Sequence, residues 1–164
     1  MKKIIIILST ILLIIDFIIK YMVTNFMMLH QSIKIIPNFL DITYIKNLGG
    51  AFNILEGNKL FFILISIVSL IFIVKYIFMD RNITKLDAIS YSLIFSGIVG
   101  NLMDRIIHGG VIDYIHFTIF GNDMPIFNFS DMCIVIGVVL VMYVLIFKGD
   151  INENNYSRKW YIRY

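Results

Sequence analysis

The chain has 164 residues, 59% of them hydrophobic and only 15% charged, with two prolines and one cysteine, and its mean hydropathy is +0.87. That is far more apolar side chain than the core of a soluble domain of this length can hide, so a soluble globular class is excluded and a small integral membrane protein remains. The lone Cys133 excludes an internal disulfide, no Cys/His cluster has metal-binding spacing, and the net charge of +3 matters less than where the charges fall.

Four stretches, at about residues 4–28, 60–79, 86–107 and 130–147, are long and apolar enough to cross roughly 30 Å of hydrocarbon. The expected fold is a membrane all-α domain spanning residues 1–164, with four transmembrane helices, a small strand element on the outer face and an aromatic-rich outer loop or short helix. Four crossings put both termini on one side. If that side is cytoplasmic, Lys2, Lys3, Lys75, Arg81, Lys85, Lys148, Arg158, Lys159 and Arg163 lie inside, against Lys34, Lys46, Lys59 and Arg105 outside. Nine basic residues against four agrees with the positive-inside rule.

The start, Met1-Lys2-Lys3 before a run of isoleucines, has the form of a secretory leader. No small-residue cleavage site follows and the apolar stretch continues to Leu29, so it is expected to be an uncleaved first helix. Within it, Asp16 and Lys20 stand four apart with the acid first, the order that lets them pair on one helix face. A structural, charge-neutralising pair explains them, and so does support of a site, because ionisable residues inside a membrane mark function by default. At 1.5 Å per residue Asp16 lies about 18 Å in, in the outer half of the membrane.

Residues 29–59 form an outer segment. Its run Phe39-Leu40-Asp41-Ile42-Thr43-Tyr44-Ile45-Lys46 alternates with period two and ends near Gly49-Gly50, which predicts a strand followed by a turn. The inner connection at residues 80–85 is too short to hold a site. In the third helix Ser96, Gly97 and Gly100 permit close helix approach, Asn101 and Arg105 share a face, and Asp104 sits three residues from Asn101. That polar density exceeds what a helix end requires.

The second outer segment, residues 108–129, holds Tyr114, Phe117, Phe120, Phe127 and Phe129, suited to the headgroup zone. Asp113 lies in Val111-Ile112-Asp113-Tyr114-Ile115, an apolar setting whose desolvation favours the protonated acid. Asp131 opens the fourth helix, where backbone N–H groups and the helix dipole favour the carboxylate, and Asn128 or Ser130 is placed to cap; plain capping is the competing explanation. Brought within a few ångströms, Asp113 and Asp131 would share one proton, the arrangement of an aspartyl peptidase. The tail, residues 149–164, is polar and expected to be partly disordered, with Trp160 and Tyr161 near the membrane surface.

Together these motifs resemble the lipoprotein signal peptidase family, signal peptidase II, a bacterial membrane aspartyl peptidase. Asp16 with Lys20 is similar to the family's first-helix pair, and Asn47-Leu48-Gly49-Gly50-Ala51-Phe52 resembles its Asn-x-Gly-Ala-Ala-Phe segment. Gly100-Asn101-Leu102-Met103-Asp104-Arg105 matches Gly-Asn-x-x-Asp-Arg, Val111-Ile112-Asp113-Tyr114-Ile115 resembles Val-Val-Asp-Phe-Ile, and Phe127-Asn128-Phe129-Ser130-Asp131 resembles Phe-Asn-x-Ala-Asp. Phe17, Gly50, Ser96 and Ser130 depart from the family's usual Gln, Ala, Gly or Ala, and Ala.

The resemblance implies cleavage of diacylglyceryl-modified prolipoproteins on the N-terminal side of the lipidated cysteine, with Asp113 and Asp131 catalytic. It implies supporting or substrate-binding roles for Asp16, Lys20, Asn47, Gly49, Asn101, Asp104, Arg105 and Asn128. Arg105 is left between a substrate carbonyl and a supporting carboxylate. No metal or organic cofactor and no nucleic acid is expected; the partners are prolipoproteins and membrane lipids, and the chain is expected to be a monomer in the bacterial cytoplasmic membrane, its site near the outer face.

Other classes fit less. A proton- or ion-coupled transporter needs polar groups continuing to the inner side, where the helices carry few. A non-enzymatic assembly partner using the Ser96/Gly97/Gly100 face leaves Asp113 and Asp131 without a role. A metallopeptidase on His108, His116 and Asp113 lacks a helical ligand spacing.

Overall fold

The computed structural model describes residues 1–50, 54–79 and 82–161, with side chains described as far as Phe147. Ala51 and Phe52 of the outer motif, Arg81 of the inner connection and the tail side chains, Trp160 and Tyr161 among them, lie outside the described residues.

Four helices, α1 (Lys2–Phe26), α2 (Lys59–Met79), α3 (Lys85–Ile107) and α4 (Phe129–Tyr161), each contain a stretch long and apolar enough to cross a membrane. Burial is inverted relative to a soluble bundle. Large aliphatic and aromatic side chains such as Ile6, Phe72 and Val139 are exposed on the outside, while Ser90, Ser92 and Ser96 are buried on α3. Where lipid surrounds the helices, apolar burial does not drive association, and small or hydroxylated residues that allow close approach hold the helices together. Accordingly α3 is the hub, packing on α1, α2 and α4. A Cβ at Gly97 would collide with the Ser130 carbonyl and Ile134, and one at Gly137 would collide with the Ser90 carbonyl, so α3 and α4 meet through glycine on both sides. Ser92 Oγ donates to Ala88 O at 2.6 Å, returning its polarity to its own helix. Thr84 and Asp87 form a reciprocal capping box that starts α3.

One end of the bundle carries a four-stranded antiparallel sheet in the order β1 (Ser32–Ile36), β2 (Leu40–Asn47), β3 (Val111–Ile119), β4 (Asn122–Asp123). The expected strand at Phe39–Lys46 is β2. The second outer segment differs from the expected loop or short helix: its nine-residue run Val111–Ile119 is strand β3, because β-branched and aromatic side chains fit a pleated surface with β2 available beside it. The fourth helix also continues past Phe147 to Tyr161, where a partly disordered tail was expected. Residues 148–161 contain no proline, and extending an existing helix avoids the cost of nucleation.

The pairing of β2 with β3 contains an irregularity. Ile42 faces Ile115, but Ile45 faces Asp113, so three residues of β2 advance against two of β3. One extra residue reverses which side chains of β2 share a face with β3. Downstream of the bulge Ile45 and Asn47 therefore stand on the face of Asp113.

Candidate active site

The bulge aims Asn47 at Asp113. Asn47 Nδ2 donates to Asp113 Oδ2 at 2.9 Å, and Asn128 Nδ2 donates to Asp113 Oδ1 at 2.7 Å, so each oxygen of this fully buried carboxyl, 1% exposed, is held by an amide. Burial first, and the charge of Asp131 second, push the Asp113 carboxyl up to about 6; the two amide donors act in the opposite direction.

Asp131 is fixed from the helix start. The Asn128 side-chain oxygen accepts from Asp131 N–H at 2.9 Å, and Asp131 Oδ2 accepts from Asn128 N–H at 3.2 Å. This is a capping box with Asn at the cap and Asp three residues on. Asp131 Oδ1 accepts from Asn101 Nδ2 at 2.7 Å, and Asn128 Nδ2 also reaches Asn101 Oδ1 at 3.2 Å. Capping and site membership are thus the same set of bonds at Asp131. Among the described residues the two carboxyls share no direct hydrogen bond, and the completely buried Asn128 links them. The Tyr114 hydroxyl, which burial favours in its protonated form, accepts from Phe129 N–H at 3.2 Å and satisfies a further free donor at the same helix start.

Asp113 and Asp131 line a cleft of about 280 Å³ with Asn47, Asn101, Arg105 and Phe127. Each carboxyl oxygen has one protein donor and retains acceptor capacity, so the pair can hold a water and a carbonyl between an acid and a base.

Three of the sequence-derived residues, Asp16, Lys20 and Asp104, lie apart from the pair, while Arg105 lines the cleft. Lys20 Nζ contacts Asp16 Oδ2 at 2.8 Å, as the spacing predicts, and also Asp104 Oδ2 on α3 at 2.7 Å; all three side chains are buried. Asp104 therefore points away from the cleft to α1, and its Oδ2 accepts from Ile112 N–H at 3.2 Å, which ties the triad to the residue before Asp113. Arg105 is hydrogen-bonded to backbone: Nη2 donates to Gly49 O at 3.2 Å, Nη1 donates to Asn101 O at 3.3 Å, and the guanidinium lies 4.9 Å from the centre of the Phe62 ring. Gly49 N–H in turn donates to Asn47 Oδ1 at 2.9 Å.

Phe17 is 66% exposed and stacks on Tyr21, so its departure from the family's usual residue leaves the buried network of α1 untouched. Ser130 Oγ is buried with no hydrogen-bond partner among the described residues. His116 lies between Asp41 and Asp123 on the opposite face of β3 from Asp113, which separates the proposed His-Asp ligands. Sequence reasoning missed Phe62, one phenylalanine in an apolar helix with no local sign of its partner, and it missed Tyr114 as the acceptor at the start of α4.

The model of the family described as "Signal peptidase (SPase) II" matches residues 8–147. Lipoprotein signal peptidases of Staphylococcus aureus strains JH9 and Newman are each 38% identical over 141 residues, 86% of this chain and 86% of theirs. A structure described as a bacterial membrane enzyme solved by the in meso method at 2.3 Å resolution is similar with a TM-score of 0.82 and 36% identity, covering 88% of both chains. A second, at 1.9 Å resolution, has a TM-score of 0.78 and 38% identity over 86% of this chain and 91% of the other.

Proposed function

The chain belongs to the signal peptidase II family, and from that membership we propose that Asp113 and Asp131 are the acid and base that remove signal peptides from prolipoproteins. The observation that carries this assignment is the amide bridge: Asn128 holds both carboxyls at one cleft and leaves each an open lone pair. Asp131 takes a proton from water as its oxygen attacks the scissile carbonyl, and protonated Asp113 donates to the carbonyl oxygen. As the tetrahedral species collapses, Asp131 passes its proton to the leaving amine and Asp113 recovers the hydroxyl proton. Asn47 and Asn101 hold the two acids; Arg105 and Gly49 brace the segment carrying Asn47; Asp16, Lys20 and Asp104 fasten α1, α3 and β3 behind it.

The substrate in this reading carries a diacylglyceryl group beside the scissile bond, and cleavage leaves the lipidated cysteine as the new N-terminus. Such a substrate partitions into the bilayer and meets a membrane-level cleft by lateral diffusion. The sheet end lies at the outer face and both termini in the cytoplasm, supported by the nine basic residues assigned inside against four outside. The enzyme works as a monomer, with the cleft assembled from a single chain.

The test is cleavage of a diacylglyceryl-modified prolipoprotein beside its unmodified precursor by purified wild type, Asp113→Asn and Asp131→Asn. Cutting of the modified precursor alone, lost in both variants, is expected. Persistent cleavage by either folded variant removes that acid from the mechanism, and equal cutting of both precursors removes the lipid requirement.

A further inference from the structure

Phe62 sits in the first turns of α2, a helix otherwise remote from the two acids, and its ring touches two parts of the site. The Arg105 guanidinium lies 4.9 Å from the ring centre, and the ring packs so closely on residue 50 that a Cβ built there would stand 3.1 Å from its carbons. Arg105 holds the carbonyl of buried Gly49 at 3.2 Å. Gly49 N–H is bonded to Asn47 Oδ1, and Asn47 Nδ2 donates both to Gly50 O at 3.4 Å and to Asp113 Oδ2 at 2.9 Å. Every link from the ring to the carboxyl is thus a direct contact.

We propose that Phe62 is a positioning residue for the reaction: its ring fixes the Arg105 guanidinium and the 49–50 backbone, and through them holds Asn47 on Asp113. A planar cation on an aromatic face at a half-buried site gains attraction that an aliphatic side chain of similar size does not supply. Arg105 needs that platform because its hydrogen bonds go to the backbone carbonyls of Asn101 and Gly49, with no carboxylate among the described residues taking its fork. The Gly50 contact adds shape: the Cε1–Cζ edge of the ring fits against a residue with no side chain. The role rests on the peptidase assignment of Asp113 made above.

The consequence for Asp113 has a sign. The Asn47 amide favours the carboxylate, so a loosened Asn47 raises the acid's titration above about 6. The charged groups facing Asp113 are Asp131 on α4, Lys20 on α1 and Arg105 on α3. None of these is altered by substituting Phe62.

Phe62→Leu, Phe62→Tyr and the combination of Phe62→Leu with Arg105→Gln are compared with wild type in detergent. Phe62→Leu is expected to lower kcat about threefold to tenfold with KM within about twofold, and to move the Asp113 titration, followed by NMR of isotope-labelled aspartate, to higher pH. Phe62→Tyr, which keeps the ring face, is expected to restore both. In the Arg105→Gln background Phe62→Leu is expected to have a clearly smaller further effect, because the cation it supports is gone and only the contact with residue 50 is left to lose. Losses that multiply in the double variant, a Tyr variant as defective as Leu, or an unmoved titration would each overturn the role. The titration needs no substrate, so a shifted Asp113 in a protein whose wild type cuts no precursor would leave the positioning link standing and remove the peptidase assignment instead.

Discussion

Two pairs of carboxyls, buried except for the half-buried Asp131, are stabilised by opposite means. Asp16 and Asp104 share an ammonium, Lys20, at 2.8 and 2.7 Å. Asp113 and Asp131 receive neutral amides from Asn47, Asn128 and Asn101. A cation within contact distance neutralises an acid and fastens three elements together, whereas amides orient a carboxyl without supplying charge, so burial and the neighbouring acid are left free to favour a shared proton. In the proposed mechanism the first group stays fixed and the second exchanges protons. Four chemically identical side chains thus divide into a cation-held and an amide-held pair by the partners that tertiary structure gives them.

The comparison breaks most sharply in a crossed experiment. Asp131→Asn keeps the shape and loses the base, so cleavage should fall by about 10²–10⁴-fold while thermal melting in detergent changes little. Lys20→Met does the reverse first: it leaves two acids buried without their cation, and a loss of about 3–5 kcal/mol in stability is expected by melting or denaturant titration. If Asp131→Asn unfolds the protein and Lys20→Met merely slows it, the division is wrong.

A smaller effect sharpens the amide-held group alone. Folding raises the Asp113 carboxyl from 3.8 to about 6, so the folded state binds the proton more tightly. The stability this group contributes is full below about pH 4, falls as pH rises through about 6 and is constant above, a change of about 3 kcal/mol. The difference in melting behaviour between wild type and Asp113→Asn across that window should follow this curve; a difference independent of pH would show that the acid is not desolvated.

Asn128→Ala removes the helix cap and the bridge together. A stability loss of about 1–2 kcal/mol is expected from the cap, with a much larger fall in cleavage, and the two are separated by measuring both on one preparation. Ser130→Ala should have the least effect. Ser130 Oγ is buried without a hydrogen bond to the described residues, so its removal should be neutral or stabilising by up to about 1 kcal/mol, read from the melting temperature.

Much of the site was legible because charge is rare in this chain. In an apolar background Asp16, Lys20, Asn101, Asp104, Arg105 and Asp113 stand out individually, and their order along the chain carried the family resemblance. Legibility failed where a residue's role depends on what crosses over to it. Asp104 follows Asn101 on the same helix, yet it turns to Lys20 on α1 while Asn101 turns to Asp131 on α4. Arg105 lies against the Phe62 ring of α2, a partner that nothing in its own segment announces. The strand β3 was hidden by an aromatic composition that suits a membrane-surface loop equally well, and its β identity depends on the partner β2.

The sequence by itself determined that the chain spans a membrane, with four long apolar helices, since hydrocarbon tolerates few alternatives to a hydrogen-bonded helix. It also singled out the residues proposed here to bear the chemistry, because ionisable groups in apolar surroundings are costly and mark function by default. Tertiary structure alone decided how those residues are paired. A one-residue bulge between Ile42 and Ile45 sets the face on which Asn47 stands, and close α3·α4 packing at Gly97 and Gly100 brings Asn101 to Asp131. Those are distances between segments far apart in the chain, fixed by backbone register and packing, and local residue pattern does not encode them.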